Sequence, residues 1–301
     1  MRLRRRPLEG AVKGRANVQQ IETIEEMQVL SESIRIAGHT VGLVPTMGFF
    51  HEGHLELMRV ARKYADTVVV SLFVNPTQFG EGEDLAAYPQ DLDGDLAKAR
   101  DVGVDCVFIP SAEDMYPEGY QTEVRVQDLT QHLCGLSRPG HFDGVTTVVA
   151  KLFHIVKPHL AVFGQKDYQQ LAVISRMVRD LNMDIEIIGV PTVREPDGLA
   201  MSSRNSYLSL TERASALSLN RALARARDMV AQGERNVETL RKTVEDEIRS
   251  RPDTQIDYVS LCDATTLEEL EVLENEALLA LAVRVGKARL IDNCILRSEA
   301  S

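Results

Sequence analysis

The sequence predicts an α/β protein in which a parallel sheet carries helices on both faces and a smaller α+β domain follows. Short apolar runs alternate with amphipathic helical patterns through the first two thirds of the chain, as in proteins built from β-α-β units. These runs are apolar nearly throughout, which is typical of strands buried on both faces. After residue 191 the alternation ends, and the turn-forming sequence Pro196-Asp197-Gly198 introduces a different pattern.

Strands and helices are predicted in alternation along the first domain. The strands are short runs rich in Val, Leu and Ile, whereas the helices repeat apolar residues at intervals of three and four. Predicted strands cover residues 40–45, 67–74, 105–109, 159–163 and 184–190, and predicted helices cover residues 24–36, 54–64, 92–102, 145–156 and 168–181. In such a sheet a ligand binds at the carboxyl ends of the strands, where the strand order reverses.

The last third of the chain is predicted to form the α+β domain. Helical patterns cover residues 211–232 and 237–249, and strand-like runs cover residues 257–262, 277–285 and 288–296. Gly286-Lys287 could close a hairpin between the last two strands. We therefore divide the chain into a basic leader at residues 1–20, an α/β domain at residues 21–192 and a smaller C-terminal domain at residues 193–301.

Composition excludes several classes of protein. The chain has 301 residues, of which 44% are hydrophobic and 26% charged, and no apolar run approaches the roughly 20 residues of a membrane span. A net charge of −11 argues against a nucleic-acid partner. The four cysteines form no Cys-x-x-Cys pair, so neither a zinc site nor a disulfide framework is indicated. A reducing cytoplasm fits this composition.

The amino-terminal leader is basic. Residues 1–15 contain six basic side chains and one acidic side chain, as transit peptides do, but they lack an apolar signal core. We interpret the leader as a disordered tail, or as the product of a start codon placed too far upstream, in preference to a targeting segment.

The most informative motif places two histidines around a glycine at a predicted strand-to-helix junction. His51 and His54 flank Gly53 after the first predicted strand. Free backbone N–H groups and the positive end of a helix dipole favour anions at such a position, and glycine lets a ligand approach the backbone. The alternative is a helix start with incidental surface histidines. The strand and helix on either side favour a phosphate site.

Further polar segments follow other predicted elements. Lys166 and Asp167 follow the fourth strand, where lysine can reach phosphate oxygens. Taken alone, they are better explained as a helix start with a capping Asp, but their pairing with the histidine motif reverses that preference. Residues 198–205 form a glycine-led polar loop that could close over a ligand. Gln78 and Gln170 offer amides for hydroxyl or carboxylate groups. Arg138, in a turn-rich loop, could bind an anion or staple that loop.

Three aspartates precede the third predicted helix at alternate positions. Asp91, Asp93 and Asp95 resemble a divalent-ion loop but lack the glycine and the final acid of an EF-hand. We interpret them as negative charges at a helix N-terminus.

Together these motifs resemble the pantoate–β-alanine ligase family, also called pantothenate synthetases. The matching segments, in chain order, are PTMGFFHEGH (45–54), NPTQF (75–79), RPGHFDGV (138–145), GQKDYQQL (164–171) and DGLAMSSRN (197–205). Phe49-Phe50 departs from the small-residue-then-Leu pair common in the family. Gly94 and Lys98 stand where some relatives carry acidic or amide side chains, so metal ligands stay unassigned.

The resemblance implies a fold, a reaction and residue roles. The fold would be a Rossmann-like nucleotidyltransferase domain with a C-terminal lid, usually in a homodimer, and the reaction would join (R)-pantoate to β-alanine with ATP and Mg²⁺. His54 would donate a proton, His51, Lys166, Ser202 and Arg204 would hold phosphate, and Gln78 and Gln170 would contact pantoate, with contact of Gln78 to β-alanine left open. The implied ATP-binding residues are Met47, Gly48, Phe49, Phe50, His51, Glu52, Gly53, His54, Gly164, Gln165, Lys166, Asp167, Val193 through its backbone, Met201, Ser202, Ser203 and Arg204.

Two rival functions remain open at this point. Another His-x-Gly-His nucleotidyltransferase would keep the nucleotide in its product, but it would not be expected to carry both the 75–79 and 138–145 segments. A regulatory nucleotide-binding protein without catalysis is the second rival. The presence of His54, Lys166 and Arg204 argues against it.

Overall fold

A computed structural model describes residues 18–80, 85 and 88–298. Residues 1–17 of the predicted leader lie outside this range. The chain divides into two compact units: unit 1 takes in Met1–Val126, Arg138–Gln165 and Val173–Pro191, and unit 2 takes in Gln127–Ser137, Lys166–Ala172 and Thr192–Ser301. Among the described residues, no helix combines the length and the apolar character needed to cross a membrane.

Unit 1 contains a six-stranded parallel sheet, which confirms the predicted fold class. Its strands are β1 (Gln19–Ile21), β2 (Val41–Thr46), β3 (Thr67–Leu72), β4 (Cys106–Phe108), β5 (Leu160–Gly164) and β6 (Glu186–Val190). Their order is β1-β4-β3-β2-β5-β6. The chain therefore winds outward from β2 in one direction and later from β5 in the other, so the strand order reverses between β2 and β5.

Pairing between β2 and β5 is recorded near their amino ends. Gly42 pairs with Leu160 and Leu43 pairs with Ala161, whereas β2 and β3 pair over all six residues of β2. The carboxyl ends of β2 and β5 therefore flank the crevice that this class of sheet uses for ligands.

Helices cover both faces of the sheet. Val44, Val68 and Val70 pack in one apolar cluster with Met58. The alternate residue Leu43 points to the opposite face and is also fully buried. The helices, in chain order, are α1 (Ile24–Ile36), α2 (Glu52–Tyr64), α3 (Leu92–Asp101), α4 (Ala112–Met115), α5 (Cys134–Ser137), α6 (His141–Val156), α7 (Tyr168–Asp180), α8 (Leu210–Ala231) and α9 (Val237–Arg249).

Several elements of unit 1 differ from the predictions. β1 was not predicted, and it extends the sheet to Gln19, two residues before the predicted start of the domain. Helix α2 begins at Glu52 instead of His54, because His51 adopts the extended conformation of a cap. Helix α6 begins at His141, four residues early, after Gly140 with a φ of +79°.

Unit 2 contains a three-stranded antiparallel sheet packed on α8 and α9, which confirms the α+β prediction. The strands are β7 (Thr254–Cys262), β8 (Glu276–Val285) and β9 (Ala288–Arg297), in that order. The predicted hairpin joins β8 to β9 with Gly286 at a φ of +56°. Leu219, Leu240 and Leu279 belong to its apolar core.

Two short segments that we predicted within the first domain, Gln127–Ser137 and Lys166–Ala172, belong to unit 2. The amide of Gln169 explains their association, because its Nε2 donates to the carbonyls of Leu129 at 2.9 Å and His132 at 2.6 Å. Its Oε1 accepts from the Cys134 backbone at 2.9 Å. Tyr168 adds a hydroxyl bond to the Ala264 carbonyl at 3.1 Å. Such hydrogen bonds leave no periodic pattern in the sequence.

Candidate active site

The double-histidine motif lies between β2 and α2 in unit 1. Strand β2 ends at Thr46, His51 is the N-cap of α2, and His54 is the third residue of its first turn. The predicted strand-loop-helix context is therefore confirmed. The first-turn N–H groups of a helix have no partner within the helix, so this end of α2 can accept an anion.

The two histidine rings are held against each other. Their centroids lie 4.1 Å apart in a stacked arrangement, and the His51 backbone N–H donates to His54 Nδ1 at 3.3 Å. Because Nδ1 accepts this bond, a neutral His54 ring carries its proton on Nε2. His54 Nε2 can therefore donate a hydrogen bond, and the proton-donor role that the family resemblance implies stays a prediction.

Residues 47–51 connect β2 to α2 and are called the double-histidine loop below. Gln78 lies next to this loop. It ends the 3₁₀ helix Pro76–Gln78 that follows β3, and its Nε2 donates to the Met47 sulfur at 2.8 Å. The Gln78 carbonyl accepts from His141 Nδ1 at 2.8 Å and from Arg138 Nη2 at 3.3 Å. The structure thus brings together three segments that are far apart in the sequence, and Arg138 staples the loop.

Asn75 orients the Gln78 amide. Its Nδ2 donates to Gln78 Oε1 at 3.3 Å and to the Gly144 carbonyl at 3.1 Å. Its Oδ1 accepts from the Tyr116 hydroxyl at 2.8 Å. Burial raises the pKa of Tyr116, so its phenol stays protonated and donates. Nothing in the local sequence around Tyr116 pointed to this contact.

In unit 2, the segment before Arg204 forms a tight hairpin. The Met201 N–H donates to the Val193 carbonyl at 3.0 Å, and Gly198 turns the chain with a φ of +96°. Asn205 fixes the end of the segment to the hairpin, because its Nδ2 donates to the Ala200 carbonyl at 3.0 Å. Both ends of the predicted mobile loop are therefore anchored within unit 2, and its movement stays a prediction.

The serines of this segment begin a short helix. Ser202 caps the 3₁₀ helix Ser203–Tyr207, and its hydroxyl accepts from the Arg204 N–H at 3.3 Å. The cap places both Ser203 and Arg204 in the first turn. Serine hydroxyls, a guanidinium and a helix N-terminus are all groups that bind phosphate.

The segment after β5 is divided between the units. Gly164 and Gln165 belong to unit 1, whereas Lys166, Asp167 and Gln170 belong to unit 2. Lys166 is half-buried in the 3₁₀ helix Gln165–Asp167, Asp167 is exposed, and Gln170 lies in the first turn of α7.

Comparison with known proteins decides the family. A family model described as pantoate-beta-alanine ligase matches residues 19–295. The chain belongs to the pantoate–β-alanine ligase family. It is 56% identical over 279 residues to a pantothenate synthetase of Syntrophus aciditrophicus, covering 93% of this chain and 98% of the relative. A pantothenate synthetase of Syntrophobacter fumaroxidans is 59% identical over 280 residues, covering 93% and 99%.

Solved structures of the pantoate–β-alanine ligase family share the fold. A pantothenate synthetase from Thermus thermophilus is 46% identical with a TM-score of 0.87, covering 92% of this chain and 99% of that one. A Francisella tularensis pantoate-beta-alanine ligase, complexed with beta-gamma ATP and beta-alanine, is 34% identical with a TM-score of 0.77, covering 94% and 99%.

The loop before α2 has an unusual backbone conformation at Gly48 and Phe49. Gly48 and Phe49 have consecutive positive φ angles of +86° and +54°. A bulky residue in the left-handed region costs roughly 1–3 kcal/mol and persists where the surroundings hold it. Glycine, which has no Cβ, adopts such a φ without this penalty. Phe50, in place of the usual Leu, is 3% exposed and joins the core.

The strained loop is held by α3. Both oxygens of Asp95, which is 1% exposed, accept backbone N–H groups, one from Phe49 and one from Phe50, each at 2.6 Å. Lys98 Nζ donates to the Phe50 carbonyl at 2.9 Å. Burial raises the pKa of the Asp95 carboxyl, and the two N–H groups and Lys98 oppose this rise.

The structure confirms our interpretation of the acidic segment and adds one contact. Asp91 is the cap of α3 and accepts from the Gly94 N–H at 3.1 Å, as expected for charge at a helix N-terminus. Asp95 lies in the first turn of α3, as predicted for helix N-terminal charge, and its side chain in addition turns inward to the double-histidine loop. Asp95 lies next to Leu96 and one helical turn before Ala99, and both of these apolar residues are on the buried face of α3. This spacing was the sequence signal that Asp95 points inward.

Replacing Asp95 with asparagine should loosen the loop. One amide nitrogen would face an N–H donor, and each buried donor without a partner costs about 1–3 kcal/mol. We expect at least a tenfold loss of kcat/KM for ATP, together with lower stability in urea unfolding. Asp91→Asn is the matched control, because asparagine caps helices as well as aspartate. Equal effects of the two substitutions would contradict the role of Asp95.

Proposed function

We propose that the chain is an ATP-dependent ligase that joins (R)-pantoate to β-alanine through a pantoyl-adenylate and releases AMP and pyrophosphate. Its family membership over residues 19–295 supports the reaction. The observation that carries the proposal is the contact of Gln78 Nε2 with the Met47 sulfur at 2.8 Å, because Gln78 is proposed to bind pantoate and Met47 precedes the double-histidine motif. The related Francisella tularensis structure is described as complexed with beta-gamma ATP and beta-alanine.

In the first step, a pantoate carboxylate oxygen attacks the α-phosphorus of ATP and pyrophosphate leaves. Both reactants are anionic, so their repulsion must be offset by positive charge and hydrogen-bond donors. We assign this role to Lys166, Arg204, His51, His54 and the N-terminus of α2. Preorganised donors of this kind are each worth about 2.7–4 kcal/mol in known enzymes. His54 is proposed to stabilise the departing pyrophosphate with a hydrogen bond donated from Nε2.

In the second step, the amine of β-alanine attacks the carbonyl of the pantoyl-adenylate. The amide C–N bond forms, the bond from carbonyl carbon to phosphate oxygen breaks, AMP leaves, and the nitrogen loses a proton. Because the substrate carboxylate is activated as an adenylate, the reaction needs no nucleophilic Ser or Cys. Gln78 and Gln170 are proposed to hold pantoate while the two reactants meet.

Mg²⁺ is proposed to enter with ATP. Within residues 18–80, 85 and 88–298, no group of three or more His, Cys, Asp or Glu side chains is placed to hold a metal ion. This fits Mg²⁺, which keeps several waters and binds through substrate phosphates with at most one or two carboxylates. The metal would neutralise phosphate charge, and no protein ligand is assigned to it.

The proposed assembly is a cytoplasmic homodimer without nucleic-acid or membrane partners. The net charge of −11 supports the proposal that nucleic acid is not a partner. The family resemblance supports the homodimer. Light scattering on the purified protein should give twice the mass of the 33.5 kDa chain. A monomeric mass at micromolar concentration would contradict the dimer but not the activity.

One assay tests the activity. Purified protein should form AMP and pantothenate when ATP, pantoate and β-alanine are all present, and none when either acid is omitted. Exchange of labelled pyrophosphate into ATP should require pantoate alone. A product that retains the nucleotide would indicate another His-x-Gly-His enzyme, and the absence of exchange would indicate a regulatory protein.

Replacing Gln78 with alanine should weaken pantoate binding selectively. The Gln78 amide is proposed to orient pantoate by hydrogen bonds, and alanine cannot make these bonds. The N-terminus of α2, which is proposed to bind the ATP phosphates, is unchanged in the variant. We expect the pantoate KM to rise at least tenfold and the ATP KM to change far less, as measured by steady-state kinetics. Gln131→Ala is the control, since exposed Gln131 also ends a 3₁₀ helix. Equal increases in both KM values would argue against the assignment.

A further inference from the structure

Two adjacent polar residues lie buried in the sheet of unit 2. Asp292 and Asn293 on β9 are 3% and 9% exposed. Buried polar side chains are retained where hydrogen bonds satisfy them. Neighbouring residues of a strand point to opposite faces, so this pair can reach two different segments.

Asp292 holds the hairpin that leads to Arg204. Its two oxygens accept from Arg194 Nη1 at 2.7 Å and Nη2 at 2.9 Å. Arg194 Nη1 also donates to the Gly198 carbonyl at 3.1 Å, and Arg194 pairs with Ala200 across the hairpin. The carboxylate therefore anchors Arg194 and, through it, the hairpin that precedes Ser202.

Asn293 holds the second segment. Its Nδ2 donates to the carbonyl of Lys166 at 2.8 Å. The Asn293 backbone N–H in turn donates to Asp292 Oδ1 at 2.8 Å. A continuous chain of hydrogen bonds thus runs from Lys166 through the two β9 residues to Arg194.

We propose that Asp292 and Asn293 are positioning residues that keep Lys166 and the segment from Ser202 to Arg204 in register for the phosphates of ATP. The inference rests on the proposed function, because it takes these two segments as phosphate-binding. Catalytic groups must be held within about 0.5 Å of their productive positions by supporting hydrogen bonds. The pair supplies that support from one strand.

A second arginine–carboxylate pair in the same sheet provides a comparison. Arg289 on β9 donates to Asp257 on β7 through Nε at 2.9 Å and Nη2 at 2.7 Å. Its other bonds go to Ser137 and Cys134, and neither belongs to the proposed phosphate segments. Loss of this pair therefore reports the structural cost of breaking an ion pair without disturbing Lys166 or Arg204.

The test compares Asn293→Asp, Asp292→Asn and the control Asp257→Asn. Asn293→Asp keeps the side-chain size but turns an acceptor toward the Lys166 carbonyl. Pantoate-dependent pyrophosphate–ATP exchange gives kcat and both KM values, and thermal unfolding gives the Tm. We expect the ATP KM of the first two variants to rise about fivefold or more and kcat to fall about tenfold, with the pantoate KM within twofold of wild type. Asp257→Asn should change the Tm alone.

Unchanged kinetics in folded Asn293→Asp and Asp292→Asn, or equal increases in both KM values, would overturn the positioning role while the proposed function stands. If Asn293→Asp does not fold, Asn293→Ser replaces it, because serine is small enough for the site but does not reach Lys166. A wild-type protein without pantoate-dependent exchange would overturn the proposed function and this inference together.

Discussion

Replacement of His54 by alanine should lower the rate of adenylate formation about 10²- to 10⁴-fold, the usual contribution of a positioned proton donor. His54 Nδ1 accepts from the His51 N–H at 3.3 Å, which leaves the proton of the neutral ring on Nε2. Without it, the negative charge that develops on the departing pyrophosphate would lose a hydrogen-bond donor. The rate is measured by single-turnover formation of pyrophosphate with saturating ATP and pantoate.

The control for this experiment is His39→Ala. His39 belongs to the same unit, its side chain is 61% exposed, and it has no role in the proposed reaction. Thermal unfolding of both variants checks that neither loses its fold. A decrease smaller than tenfold in folded His54→Ala would reduce His54 to a packing partner of His51.

Replacement of Lys166 by alanine should remove about 3 kcal/mol of transition-state stabilisation, near a hundredfold in kcat/KM for ATP. Lys166 lies half-buried in a 3₁₀ helix, and its backbone is held by Asn293. The ammonium group would offset negative charge that the phosphates develop as pyrophosphate leaves. Steady-state kinetics with varied ATP measures the loss.

Lys287→Ala is the control for Lys166, because Lys287 is exposed at the hairpin of the same unit. It removes one positive charge without touching the proposed phosphate segments. Turnover of Lys166→Ala at the wild-type rate would refute the role of Lys166. A similar decrease in both variants would show that overall charge, and not position, causes the effect.

Helix boundaries could be predicted where a conventional cap precedes the apolar pattern. Thr23 accepts from the Glu26 N–H at 3.2 Å before α1, and Asn236 accepts from the Thr239 N–H at 2.8 Å before α9. Both helices begin where the sequence predicted. Strand β1 was missed because its three residues include two exposed glutamines, so it lacks the apolar run by which strands are recognised.

The candidate site could be predicted in part. The position of His51 and His54 between a strand and a helix follows from local patterns, and the structure confirms it. The role of Asp95 depends on contact with a loop 45 residues earlier in the chain. Asn293 meets Lys166 across 127 residues. A single hydrogen bond between residues so far apart in the chain produces no repeated pattern in the sequence, so it cannot be inferred from the sequence.

The interleaving of the two units limits how the protein can be divided and how it can fold. The chain crosses between unit 1 and unit 2 five times, and Gln169 ties residues 127–137 to α7 by three hydrogen bonds. A single cut near residue 192 would leave the C-terminal fragment without Gln169 and its partners. Such long-range contacts slow folding, and neither unit is complete until the central part of the chain has been synthesised.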